Sequence, residues 1–173
     1  PFFLAQHEVT QAQWWRISGR DPSQWSPSRT PKFVDSRLHP VDSVDWVTAH
    51  SELKSAGLTL PTEAQWEYAA RGGTSTPWWT GRDMRSLLGA ANLMDEQYVR
   101  MKGLNYPRRV APVDWEGFND GYPVHAPVGS LRPNGFGLFD VCGNVNEWCL
   151  DAGFIGYELK EEVLIDTFER RLW

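Results

Sequence analysis

The chain has 173 residues, 41% of them hydrophobic and 23% charged, with a formal net charge of −5 and a pI near 5.4. That length suits one domain with a sizeable core, the acidic balance argues against a nucleic-acid partner, and no apolar run reaches the roughly 18 residues that a membrane span needs. Ten Trp beside fifteen Gly and twelve Pro predict a domain of long ordered loops pinned by indoles, since Gly and Pro break regular elements and Trp supplies large buried area.

The first predicted element is a helix over about 10–18. Thr10-Gln11-Ala12-Gln13 has the form of a capping box, Val9 and Trp14 stand as a hydrophobic staple, and Gly19 is a stop. Residues 20–40 hold four Pro and read as an ordered surface loop anchored by Trp25, Phe33 and Val34. A second helix follows Trp46, with Val47, His50, Leu53 and Lys54 at helical spacing and Gly57 closing it. An extended link leads to Thr62-Glu63-Ala64-Gln65, a second capping box. The third helix it opens carries Trp66, Ala69 and Ala70 on one face and ends at Gly72-Gly73. Trp66 is expected in the core, away from any ligand. From 74 to 135 the only predicted helix lies at 84–91. A stretch that long needs a fixing device, a metal ion or buried aromatics. Phe136-Gly137-Leu138-Phe139-Asp140-Val141 reads as a short strand or turn, and the charged tail 158–173 as helical.

His7, His39, His50 and His125 show no metal-binding spacing. They read as structural or surface residues, with a zinc or iron site as the alternative. Cys142 and Cys149 lie outside the short spacing of zinc-binding cysteines and read as buried free thiols. Two Cys make no disulfide scaffold and leave the compartment unread. Gly135-Phe136-Gly137 is only a fragment of a phosphate-binding glycine motif. Oxygen donors are better placed. Asn92, Asp95, Asp120-Gly121, Gly143-Asn144 and Glu147 stand in loops, and calcium takes six to eight oxygen ligands from flexible loops. The competing reading is that Asp120 and Asn144 bind their own backbone as turn-formers. Both readings stand at this point.

Several blocks occur together and in order: Glu8-Val9-Thr10; Leu60-Pro61-Thr62-Glu63-Ala64-Gln65-Trp66-Glu67-Tyr68-Ala69-Ala70-Arg71-Gly72-Gly73; Ala91-Asn92-Leu93; Ala126-Pro127-Val128-Gly129; Pro133-Asn134-Gly135-Phe136-Gly137-Leu138-Phe139-Asp140; Gly143-Asn144-Val145-Asn146-Glu147-Trp148. In this the chain resembles the sulfatase-modifying-factor family, that of the formylglycine-generating enzyme, from about residue 3 to about 151. The resemblance implies an α+β fold of the C-type-lectin-like kind with little regular structure. It implies a single domain over 1–173, partial at both ends, with 158–173 a weakly matched tail.

The resemblance also implies two structural calcium ions. One would lie between Asn92, the carbonyl of Leu93, Asp120 and the carbonyl of Tyr122. The other would take the carboxylate of Glu147 and carbonyls near Cys142, Gly143 and Val145. Asn146 departs from the family, which usually has Trp there. The family's activity is copper(I)-dependent oxidation of a protein cysteine to formylglycine. Its reactive Cys pair lies downstream of the G-N-x-x-E-W loop, beyond motifs that this chain lacks, and Cys142 and Cys149 stand too early to be that pair. The expectation is a domain that is inactive alone and holds no copper(I), whose family partner is a protein or peptide substrate. No nucleic-acid or membrane partner is expected, and the oligomeric state is not readable. The alternative is a non-catalytic, lectin-like module that binds a protein or ligand.

Overall fold

Two helices open on the same device. Thr10 and Thr62 are extended N-caps whose hydroxyl oxygens accept the N–H of Gln13 at 3.1 Å and of Gln65 at 3.2 Å. The side-chain oxygens of Gln13 and Gln65 accept the cap N–H groups in turn, at 2.8 and 2.9 Å. Each box satisfies donors that a first helical turn would otherwise leave orphaned. The helices are α1, Gln11–Ser18, and α3, Glu63–Arg71. They end at Gly19 and Gly72, both left-handed. Between them α2, Trp46–Ser55, is capped by Asp45, whose carboxylate accepts the Thr48 N–H at 2.9 Å. It lies against α1 and buries Ala49 and Leu53, while Val47 turns to solvent.

A computed structural model describes residues 1–101 and 118–151. The helix expected at 84–91 is a single 3-10 turn, Met84–Leu87, cut short before the left-handed Gly89. A fourth helix, α4, Glu96–Met101, was not foreseen. Its start is set by Asp95, fully buried, whose Oδ1 accepts the N–H groups of Gln97 and Tyr98 at 2.8 and 3.1 Å. Residues 136–141 form turns, the second of the two expected alternatives. The tail at 158–173 lies outside the described residues. Among the described residues pairing between extended segments is limited to isolated bridges, Thr10 with Pro40, Trp78 with Gly81 and Asn92 with Gly143.

Side chains replace the missing ladders. Buried Asn134 donates to the carbonyls of Ala69 and Ala70 at 2.7 and 3.1 Å, and its Oδ1 accepts the N–H groups of Phe136 and Leu138 at 2.9 and 3.1 Å. One residue thus caps the end of α3 and shapes the 134–138 turn. The backbones meet closely there: a Cβ on Gly135 would stand 2.5 Å from the Gly72 carbonyl oxygen, and one on Gly72 would stand 2.9 Å from the Gly135 nitrogen. Gln11, on the buried face of α1, donates to the carbonyls of Trp25 and Pro40 at 2.8 and 3.2 Å. It anchors the proline-rich loop that Trp25 and Phe33 stiffen by an edge contact at 6.1 Å.

The indoles serve in two ways. Trp14 is buried outright. Trp46 donates its ring N–H to the Cys149 carbonyl at 2.8 Å, and Trp148 donates to the Val44 carbonyl at 2.9 Å. This reciprocal pair fastens the 148–149 segment to the start of α2. The Leu150 N–H on the Pro61 carbonyl, at 2.7 Å, and the Glu63 N–H on Asp151, also at 2.7 Å, fasten the next residues to α3. Leu87, Ala91 and Phe118 form an apolar cluster against which Trp78, Met84, Leu93 and Cys142 pack.

Candidate functional site

Asp120 ties together the two segments that the resemblance assigns to the first ion. Asp120 accepts the N–H of Leu93 on Oδ2 at 2.8 Å and that of Tyr122 on Oδ1 at 2.9 Å. Asn92 donates its amide to the Val124 carbonyl at 2.8 Å, which leaves Oδ1 as the acceptor of that side chain. Behind Asp120 stands Asp95, whose Oδ2 accepts the Asp120 N–H at 3.1 Å. Burial raises the Asp120 pKa to about 6, and the Asp95 charge adds to the rise, against the pull of the two N–H donors. The turn-former reading of Asp120 is therefore correct as far as it goes, because its carboxylate binds its own turn. The same carboxylate also reaches across to Leu93.

The second expected group sits in the loop 140–147, whose backbone is unusual. Asp140 and Asn144 have φ of 61° and 64°, and Gly143 has φ of 92°. Asp and Asn tolerate the left-handed region better than other side chains, but Gly143 tolerates nothing larger. A Cβ there would collide with the Asn92 carbonyl oxygen and stand 2.9 Å from the Leu93 side chain. The Asn144 N–H donates to that same Asn92 carbonyl at 2.8 Å, so the two candidate ion sites share a backbone contact. Leu93 and Cys142 face the same apolar cluster beneath them.

Two further acidic residues stand at this loop, Asp140 within it and Glu8 against it through Asn144. Glu8 and Asp140 are both buried, and among the described residues no donor reaches Glu8 Oε1 or Asp140 Oδ1, while the two carboxyls lie within reach of each other. Asn144 donates its amide to Glu8 Oε2 at 3.3 Å, and its Oδ1 accepts the Ala126 N–H at 2.7 Å. Asp140 Oδ2 accepts the Gly129 N–H at 2.7 Å. Burial, then the charges of Asp140 and Glu147, push Glu8 up to about 9. Burial likewise raises Asp140, whose carboxyl is within reach of Glu8. Glu147 keeps an exposed surface while dense protein surrounds its carboxyl. Its pKa is raised by that burial and by Asp140, against a hydrogen bond from Trp66. Trp66 is half-buried where a core indole is expected, and its ring N–H faces the Glu147 carboxyl. The small Ala69 and Ala70 beside it do leave it room, but its N–H needs a partner and Glu147 is within reach. Tyr122 and Val145 are half-buried, and only their carbonyls are called on.

The histidines are structural where the described residues pair them. His39 and His125 are buried together, and His50 stacks on Trp46 with centroids 4.9 Å apart. Among the described residues neither cysteine is in a disulfide; Cys149 is buried, and Cys142 is half-buried with its thiol pushed up by burial. Among the described residues no three His, Cys, Asp or Glu side chains are grouped so as to hold a metal ion by themselves. A cation at either loop would need amide and carbonyl oxygens as well.

The family profile described as the sulfatase-modifying factor enzyme 1-like domain matches residues 1–157. The chain belongs to that family. As a sulfatase-modifying-factor domain it is 36% identical over 149 residues to the formylglycine-generating enzyme of Thermomonospora curvata, covering 83% of this chain and 43% of that protein. To the formylglycine-generating enzyme of Mus musculus it is 32% identical over 164 residues, covering 88% of this chain and 38% of that protein. The chain therefore spans about two fifths of the length of the curated relatives it matches. In structure it is similar to Treponema denticola variable protein 1, with a TM-score of 0.58, 25% identity, and coverage of 82% of this chain and 59% of that one. The low regular structure of a sulfatase-modifying-factor domain is what the described residues show. The polar network at 8, 95, 134, 140 and 144 holds the loops in its place.

Proposed function

We propose that this chain forms the calcium-braced body of a formylglycine-generating-enzyme-like domain, and that on its own it does not perform copper-dependent oxidation of a protein cysteine. The observation that supports the first half is the crowding of the Glu8, Asp140 and Glu147 carboxyls, where no donor reaches Glu8 Oε1 or Asp140 Oδ1 among the described residues. A buried acceptor without a donor costs about 1–3 kcal/mol. A bound cation or a retained proton relieves that cost. Calcium, when bound, supplies the counter-charge and organises oxygen ligands from separate loops. Asn92, Asp120 and the carbonyls of Leu93 and Tyr122 would hold one ion. Glu147, with Asp140 and the carbonyls of Cys142, Gly143 and Val145, would hold the other.

The second half rests on the thiols. Copper(I) suits soft thiolates, and a raised thiol pKa keeps the Cys142 proton on. Cys149 is buried, with its carbonyl tied to Trp46. The two thiols do not fit that metal. The substrate class, a protein or peptide cysteine, is the one that the family resemblance implies.

Melting the protein in chelator and in millimolar calcium tests the first half. Calcium at 100 times its Kd would stabilise by about 2.7 kcal/mol. The sign for Asp120 is informative. Its pKa is raised in the fold from 3.8 to about 6, so without an ion its charge lowers stability as pH rises between those values. Asp120→Asn removes that charge but can accept only one of the two N–H groups on Asp120, so it is read by its response to calcium, which is expected to be smaller than the parent's. Coincident midpoints with and without calcium would remove the reading. For the second half, protein supplied with copper(I) under oxygen is expected to leave a sulfatase-type cysteine peptide unchanged in mass. A thiol-to-aldehyde mass loss abolished by Cys142→Ser or Cys149→Ser would make that pair an active site.

One observation favours the alternative of a binding module. Phe2, Leu4, Tyr68, Phe136 and Leu138 line an open cavity of about 490 Å³, with Tyr68 and Phe136 rings 5.6 Å apart. An apolar peptide segment would suit it, and titration calorimetry with Phe136→Ala as control decides between occupancy and a bare groove.

A further inference from the structure

We infer that His39 and His125 form a one-proton latch that holds the loop around residues 35–42 against the 124–128 segment at neutral pH and releases it on acidification. The two residues are 86 apart in sequence, yet their Nδ1 atoms lie 2.9 Å from one another, and His39 Nδ1 is also 3.1 Å from the His125 carbonyl oxygen. Both rings are buried, 2% and 6% exposed. The outer nitrogens each face a carboxylate. His125 Nε2 is 3.3 Å from Asp42 Oδ2, and His39 Nε2 is 3.6 Å from Asp35 Oδ1.

The proton positions follow from this chain of contacts. Burial alone would raise Asp42, but hydrogen bonds from His125, Ser43 and the N–H groups of Gln24 and Trp25 outweigh it and hold its pKa low. A charged Asp42 demands a proton on His125 Nε2. In the neutral ring that leaves Nδ1 as a bare acceptor. His39 Nδ1 must then carry the proton it shares, and His39 Nε2 faces Asp35 without one. A first added proton goes to that Nε2. A second would go to His125 Nδ1 and set two N–H groups against each other at 2.9 Å. The contact survives one added proton and fails at two. The latched state favours the neutral pair because burial, and then His125, lower the His39 pKa from 6.5. For a base with a depressed folded pKa the stabilisation is complete above the unfolded value and is lost as pH falls below it.

Other charged groups do not substitute for this pair. α1 contributes the Gln11 N–H, which donates to the His39 carbonyl at 2.9 Å. Arg37 lies over the Trp15 ring, 4.8 Å from its centroid. The charged neighbours are Asp35, almost fully exposed, and Asp42. What the latch closes is specific: the Val128 N–H donates to the Leu38 carbonyl at 3.0 Å. The released segment also carries Val124 and Ala126, whose backbones bond Asn92 and Asn144. Acid would therefore loosen a neighbour of both acidic loops.

The test is amide hydrogen exchange between pH 7.5 and 5.5, corrected for the intrinsic pH dependence of exchange, with Ala49 in α2 as internal reference. Protection of the Val128 amide is expected to fall below about pH 6.5 by more than roughly tenfold per pH unit while the closed pair is neutral, because opening frees two imidazoles to take up protons. His39→Asn places an amide donor near the position of Nδ1–H and removes one of the two imidazoles, so its Val128 protection is expected to fall less steeply than that of the wild type. If that variant does not fold, Asp35→Asn is the surface substitute. It removes the counter-charge of protonated His39 and is expected to enlarge the acid loss. A Val128 profile that is the same in wild type and His39→Asn, or unchanged by Asp35→Asn where the first does not fold, overturns the latch. So does nitrogen NMR that finds both rings doubly protonated with Val128 still protected.

Discussion

The starts of α1 and α3 and the loop 140–147 solve the same problem at opposite ranges. At Thr10 and Thr62 the orphan backbone donors are satisfied by a side chain three residues away. In the acidic loop, Asn144 reaches Glu8 across 136 residues and Ala126 across 18. Asn134 reaches Ala69 across 65. A sheet would have supplied those bonds by ladder, but here Asn and Asp side chains supply them one at a time. A local solution can fail alone and cost one cap. A distant solution joins two segments, so its failure opens both.

That difference orders the expected effects of substitution. Gly143→Ala would break the distant solution most severely. It combines a left-handed backbone with a collision against the Asn92 carbonyl oxygen, for about 3 kcal/mol or more. Urea denaturation should show a large loss of midpoint or no cooperative transition, and a parent-like curve would mean that the 92–143 contact does not hold the loop. Asn134→Ala comes next. It removes two donated and two accepted bonds at a buried position, and leaving the buried partners unpaired costs about 2–3 kcal/mol. Asn134→Asp sharpens the point, since it keeps the acceptor for Phe136 and Leu138 but sets a buried carboxyl oxygen against the Ala69 and Ala70 carbonyls, so a cost at least as large as that of Asn134→Ala is expected. Thr10→Ala and Thr62→Ala should each cost only about 1 kcal/mol. If either matched Asn134→Ala in a denaturation series, the contrast between near and far solutions would be wrong.

The same contrast explains what the sequence discloses. Helix starts are legible because cap and partner share one turn, and Thr10, Gln13, Thr62 and Gln65 are bonded as spaced. The meeting of Asn92, Leu93, Asp120 and Tyr122 is legible only through resemblance, since no periodicity links residue 93 to residue 120. Glu8 and Asp140 went unnamed as site residues although both stand inside the motif blocks, one before Val9-Thr10 and the other before the Gly143-Asn144 turn. A carboxylate within a motif of otherwise apolar and turn residues was the available signal. Trp66 is half-buried and not in the core, because small helical neighbours say where an indole fits, not what its N–H requires. α4 was missed because Asp95 was weighed as an ion ligand and not as a helix cap.

The Gly72–Gly135 contact closes a route as well as a gap. Each glycine lies against the other's backbone, so a Cβ on either would meet main-chain atoms and not a yielding side chain. In most packed pairs, a residue that grows can be accommodated by a neighbour that shrinks. Here both members are already the smallest residue, and no exchange between them can restore the fit. The two positions are mutationally locked as a pair. Variation around them must instead be absorbed by changing the path of the loop that carries Asn134.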